Sequence, residues 1–265
     1  MKKLLAVLLA VVMLFALSAC GEKKDDNVLT CGVTIFENMN EQAEDGTWTG
    51  FETEFAQEVG KLIGMDVEFQ IIDWAQKYNE LESGAIDCVW NGFTANSSDE
   101  VNGVQVKRSD LVDFSYGYML NQQCVVAKAG TSIATEADLA GKSACVEGGS
   151  AGAAYAATVT DADKILATTA QINAFTEVKA GAVDFAVVDI ILAKNICGQG
   201  DYADLAIVES IELDSEIYAI GFKKGSELTA KVNEAIKTLE ENGKLMELAK
   251  KYGFENVLQV TKTIE

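Results

Sequence analysis

Apolar positions along this chain change period several times, and each change marks an element. Phe51, Phe55, Val59, Leu62 and Ile63 recur at helical spacing and stop at Gly64, whereas Met65, Val67, Phe69 and Ile71 alternate with polar neighbours as a strand does. Thr49 and Glu52 stand at capping-box spacing before that helix. "VLTCGVTIF" upstream reads as a strand, Trp74 to Ser83 as a short helix ended by Gly84, and Ala85 to Trp90 as an apolar strand. Such alternation predicts a mostly parallel sheet covered by helices. Near the C terminus, Leu228, Val232, Ile236 and Leu239 form one helical face; Asn242-Gly243 breaks it, and a second helix runs to Tyr252.

One pattern occurs twice. "LESGAIDCVWNG" (81–92) and "VKAGAVDFAVVD" (178–189) share a helix end, a glycine stop, an aspartate and an apolar strand. The echo predicts an α/β protein of two Rossmann-like lobes. In such sheets ligands bind beyond the carboxyl ends of the strands, so Asn91 to Thr94 in one lobe and Asp189 in the other are the first places to look. "GYMLNQQCVVA" (117–127) and "LDSEIYAIGF" (213–222) read as two crossings between lobes. The expected division is 28–121 plus 219–265 for lobe 1 and 122–218 for lobe 2, joined by a two-segment hinge that lets a cleft open and close.

The N terminus changes the setting. "MKKLLAVLLAVVMLFALSAC" has two lysines, an uncharged apolar run from Leu4 to Leu17 too short for an ordinary membrane span, and a Leu-Ser-Ala-Cys ending. That ending resembles the bacterial lipobox, which implies a signal peptide over 1–19 and lipid on Cys20; the alternative is an ordinary signal peptide with an incidental cysteine. Residues 20–27 then form a charged tether. The expected mature protein lies outside the cytoplasm, held to the membrane through Cys20.

Composition removes several chemistries. The formal net charge is −20, and without Lys2 and Lys3 it becomes −22. Such a surface repels phosphate backbones, so no nucleic-acid partner is expected. With no histidine, Ser-His-Asp and Cys-His catalysis and most catalytic zinc sites are excluded. Cys31, Cys88, Cys124, Cys145 and Cys197 are odd in number without a CxxC spacing, so neither a full disulfide framework nor a zinc site is indicated; a Cys145–Cys197 pair stays open.

"WTGFETEFAQEVGKLIG", "DWAQKYNELESGAIDCVWNGFT", "RSDLVDFSYGYMLNQQCVV", "DLAGKSACVEGGSAG", "VKAGAVDFAVVD" and "ENGKLMELAKKYG" follow in an order that resembles the amino-acid-binding solute-binding proteins of ABC importers. The resemblance spans nearly all of the mature chain. It implies a type II periplasmic-binding-protein fold, a free amino acid or close derivative as ligand, ABC permease subunits as partners, no cofactor, no metal and a monomer. Two rivals share the scaffold: a secreted dehydratase-type enzyme, with Glu37 as acid or base, and a ligand-presenting subunit for a membrane sensor.

Closing a cleft on a free amino acid strips a carboxylate and an ammonium of water, so the site must supply a cation, neutral donors and an anion. Arg108 is the only arginine in the chain. A guanidinium gives two parallel hydrogen bonds to a carboxylate where lysine gives a point charge, although a surface arginine of no consequence would read the same. Arg108 stands five residues before Asp113-Phe114-Ser115, as the family's carboxylate-binding arginine does. Family members place it closer to the threonine matched by Thr94; here fourteen positions separate them, so an acidic insertion at Asn96 to Val106 must loop out. In "EGGSAG" (147–152), the N–H groups of Ser150 and Ala151 open a helix and would, by the resemblance, meet the carboxylate from lobe 2; the plain alternative is a glycine turn with a serine cap. Asp189 ends an apolar strand and either faces the crevice or caps the next helix. The resemblance makes it the ammonium ligand, with Gly92 and Thr94 as further acceptors and Asn91 nearby. Trp74 either covers the ligand or belongs to the core. Glu37 falls where many relatives have an aromatic residue, and Thr34 where some have an aspartate. Gln76 and Gln123 are lesser candidates.

Overall fold

The structure, a computed structural model, describes residues 27–264. The leader, Cys20 and most of the tether lie outside the described residues. Within them, no helix is long and apolar enough to cross a membrane.

Two main sheets carry the chain. The first runs Asp66–Ile71, Val28–Val33, Cys88–Val89, Gly221–Phe222, Asp113–Phe114 in spatial order. Its first three strands are parallel, with Cys31 opposite both Phe69 and Cys88. The second sheet sets Ala144–Glu147 parallel to Ile165–Thr168 and Phe185–Asp189. Parallel strands need covering on both faces, and the helices between them supply it. The fold is therefore the two-lobed α/β architecture expected. The Ala85–Trp90 strand is shorter than its apolar run, because the amides of Ala85 and Ile86 turn back onto the Glu80 carbonyl and leave only Cys88–Val89 in the ladder.

Gly117–Lys128 is the long crossing strand. Its later half pairs antiparallel with Phe185–Asp189, and its earlier half with Ser215–Tyr218 and Leu258–Thr261. Two antiparallel strands thus pass between the sheets side by side. The helices Leu228–Glu241 and Lys244–Tyr252 pack back against Phe51–Ile63. Beneath them Phe55 meets Trp90 edge-on at 5.0 Å and Tyr118 at 5.5 Å.

The capping box does not form. Helix Phe51–Ile63 is capped by Gly50 with no side-chain bond. At φ 119°, a Cβ there would sit 2.2 Å from the Met39 carbonyl oxygen, so glycine is required. Thr49 meets the Tyr252 hydroxyl instead, and Glu52 turns into the core. Its carboxylate accepts from the Gly92 amide (2.8 Å), Asn40 Nδ2 (2.6 Å) and the Tyr118 hydroxyl. Burial nevertheless pushes its pKa up to about 7. All five described cysteines are free thiols, so Cys145 and Cys197 are not paired.

Candidate ligand-binding site

The carboxyl ends of the central strands of both sheets face one hollow. Trp74, Asn91, Gly92, Thr94 and Arg108 line it from one side; Gln123, Glu147, Ser150, Ala151, Gln171 and Asp189 line it from the other. Its volume is about 10 Å³, the space of a single water molecule. Admitting anything larger requires the lobes to part.

One wall carries the cations. The insertion before Arg108 is a β-hairpin, Ser98–Val101 against Val104–Lys107, turned by Asn102 and Gly103 at φ 53° and 79°. Both central residues are left-handed, as a two-residue hairpin turn of this hand demands. The hairpin folds outward and delivers Arg108, 1% exposed, to the hollow. Its Nε donates to Asp99 Oδ1 at 2.9 Å, Nη1 to the Thr94 carbonyl at 3.1 Å and Nη2 to the Gly149 carbonyl at 3.3 Å, and Nη2 lies 2.8 Å from Asp99 Oδ1 as an ion pair. Three of the five N–H groups of a guanidinium are then engaged in hydrogen bonds. The expected free fork therefore has its Nε–Nη2 edge occupied by Asp99. Lys77 is equally buried, donates to the Gly149 carbonyl at 2.9 Å and lies 3.5 Å from Asp99 Oδ2. It faces the rings of Trp74, Tyr78 and Phe93 at 4.6–5.8 Å. Burial, then the charge of Arg108, pushes its pKa down to about 8. Burial works against the Asp99 carboxylate, yet Arg108 and Lys77 hold it below its ordinary range.

The opposite wall carries the anions. Asp189 is 4% exposed and makes no side-chain cap bond, so it faces the crevice. It accepts from Asn121 Nδ2 and Gln123 Nε2, each at 2.6 Å, and from Gln171 Nε2. The same two amides of Asn121 and Gln123 also donate to Glu216 at 2.7 and 3.0 Å. Desolvation raises the pKa of Asp189, and desolvation followed by the Asp189 charge raises that of Glu216. Glu147, 3% exposed at the end of its strand, has an Oε1 without a hydrogen-bond partner. Burial and the charge of Asp189 push it up to about 8. The walls thus oppose each other in sign, and among the described residues no cation forms a salt bridge with Asp189, Glu147 or Glu216.

Eight of the nine candidate contact residues meet at this hollow; Glu37 does not, being exposed on the loop before Asn38. Gln76 is exposed and bonded to Asn79. Asn91 clamps its own lobe: its amide donates to the Thr34 carbonyl (2.9 Å) and accepts from the Thr34 hydroxyl (2.7 Å). Ser150 Oγ caps the Ala153 amide, and its N–H closes the turn onto the Glu147 carbonyl at 3.2 Å. The plain cap is therefore present, and the Ser150 N–H is not free. Trp74 is 3% exposed and stacks edge-on against Phe93 at 5.3 Å, serving core and hollow together. Sequence reasoning passed over Lys77, Asp99 and Gln171 as site residues, and quoted Glu147 only as part of a turn motif. Glu147 carried a readable signal, a charge ending an apolar strand just as Asp189 does.

Two α/β lobes with a polar hollow at the strand ends of both define a solute-binding protein of the type II periplasmic-binding-protein fold. The chain belongs to the bacterial extracellular solute-binding proteins, family 3, whose model matches residues 29–256. The arginine-binding extracellular protein ArtP of Bacillus subtilis (strain 168) is 29% identical over 265 aligned residues, 95% of this chain and 98% of that one. The L-cystine-binding protein TcyA of the same organism is 30% identical over 281 aligned residues, 97% and 99% of the two chains. An ABC uptake transporter substrate-binding protein from Streptococcus pneumoniae, solved with bound histidine, superposes with a TM-score of 0.76 at 28% identity, covering 88% of this chain and 95% of that one. This chain is accordingly an extracellular solute-binding protein.

Proposed function

We propose that this protein captures one free amino acid between lobes 28–121 plus 219–265 and 122–218, held to the membrane by lipid on Cys20, and presents it to an ABC permease. The observation that carries the reading is the opposition of Arg108 to Asp189 across one hollow, with Lys77 buried beside Arg108 on the same Gly149 carbonyl. A zwitterion fits that field in one orientation. Its carboxylate takes the remaining Nη1 hydrogen of Arg108 and the Ala151 N–H; its ammonium takes Asp189 and the Thr94 and Gly92 oxygens. The Gly149 carbonyl, which accepts from both Lys77 and Arg108, is the latch between lobes. Glu37, the acid or base the enzyme reading needs, lies away from the hollow. Titration calorimetry against the twenty amino acids, cystine and small peptides tests the proposal. A ligand with Kd well below about 100 μM is expected, since a receptor for scarce solute must bind more tightly than about −5.5 kcal/mol; none in that range overturns it.

A further inference from the structure

We infer that Glu147 is a specificity-determining residue that receives a second positive charge on the ligand, so that the protein selects amino acids with a cationic side chain. The inference rests on the proposed amino-acid site and deepens it. Asp189 already supplies an anion for the α-ammonium, and its oxygens accept amide hydrogens from Asn121, Gln123 and Gln171. Glu147 differs. It lines the same hollow, is 3% exposed, and its Oε1 meets no donor. A buried carboxylate with an unpartnered oxygen costs several kcal/mol when ionised, and a cation arriving beside it offsets that cost.

Among the described residues none pairs with this Oε1. The charge of Lys77 acts on Glu147, but its ammonium is bonded to the Gly149 carbonyl and held against Asp99. On the facing wall, the Thr34 hydroxyl donates to Asn91, and among the described residues no lobe 1 carboxylate lines the hollow. A neutral amino acid would bring one ammonium to Asp189 and leave Glu147 Oε1 unpartnered. A guanidinium or second ammonium would satisfy both carboxylates at once.

The groups acting on Glu147 are Asp189 and Asp73, which disfavour its charge, Lys77, which favours it, and the Thr34 hydroxyl. Burial is the largest influence, so near neutral pH the empty site holds a proton on Glu147 that a cation expels. Arginine binding at pH 7 should therefore release more protons than citrulline binding, by up to about one, read by calorimetry in phosphate against Tris.

The decisive comparison is arginine, lysine and ornithine against citrulline and glutamine, on the unmutated protein and on Glu147→Gln. Citrulline keeps the shape of arginine without its charge. We expect the unmutated protein to prefer arginine to citrulline by at least about tenfold, and Glu147→Gln to lose about tenfold in arginine affinity while citrulline stays within about twofold. Tight binding of neutral amino acids with no cationic preference overturns this inference and leaves the amino-acid site standing. Unchanged arginine affinity in Glu147→Gln likewise overturns it. Failure of every amino acid to bind overturns the site itself. The ligand series on the unmutated protein decides the matter even where the variant does not fold.

Discussion

Arg108 gathers Asp99, the Thr94 carbonyl and the Gly149 carbonyl around one planar group. A lysine at 108 reaches at most part of that set, because an ammonium cannot present parallel donors to two sides. Arg108→Lys is expected to weaken amino-acid binding by about 1.5 kcal/mol, more than tenfold in Kd, with the fold intact by circular dichroism; unchanged affinity by calorimetry would remove Arg108 from the site. Arg108 was legible because a lone arginine in a lysine-rich chain implies a geometric need, and Asp189 because a charge closing an apolar strand must face something polar. Glu52 was misread for a reason of the same kind: its spacing from Thr49 matched a cap, and nothing local announced that Gly92, Asn40 and Tyr118 wait for its carboxylate. Glu37 lies away from the hollow because it follows the end of its strand onto a turn with its side chain exposed, while Phe36 beside it turns into the core.

The hairpin Ser98–Lys107 is the element that most distinguishes the site. It places Asp99 between Arg108, Lys77 and the Tyr78 hydroxyl at 2.6 Å, and its first strand packs against helix Ala151–Val159 of the other lobe. Asp99 is thus a positioning residue: it fixes the guanidinium plane, and the hairpin bridges the cleft mouth. Asp99→Asn keeps an acceptor for Tyr78 and removes the charge, so amino-acid affinity should fall by about 1 kcal/mol through lost preorganisation. A gain in affinity would show instead that Asp99 competes with the ligand carboxylate. Helical and strand periods, the repeated strand motif and both crossings were legible at this scale, since each buries a continuous apolar face. The hairpin was seen only as an acidic insertion, although Asn102-Gly103 between alternating residues is a hairpin signal. Its packing partner lies in the other lobe, which local pattern does not reach.

For the molecule as a whole, the buried carboxylates set an unusual dependence of stability on pH. Burial raises Glu52 to about 7 and Glu147 to about 8, and raises Asp189 and Glu216 in the same direction. A carboxyl with a raised folded-state pKa binds more protons folded than unfolded between its two pKa values, so its contribution is full below the ordinary value near 4.5 and is lost as pH climbs through the folded value. The unliganded protein should therefore be more stable at pH 5 than at pH 8, and the net charge of −20 pushes the same way through self-repulsion. Asp99, Asp113 and Asp184, held below the ordinary range, act oppositely, and their stabilisation is lost only as the medium becomes more acidic than pH 4 or so. Each unit of upward shift is worth about 1.4 kcal/mol, and each kcal/mol moves the melting temperature of a chain this size by about 2–4 °C. Thermal melts at constant ionic strength from pH 5 to 8.5 should show the midpoint falling by several degrees, and saturating arginine should flatten the slope by supplying the missing cation. A midpoint that stays level or rises with pH in the unliganded protein would mean that these carboxylates are compensated, and the sign opposition across the hollow would lose its physical basis.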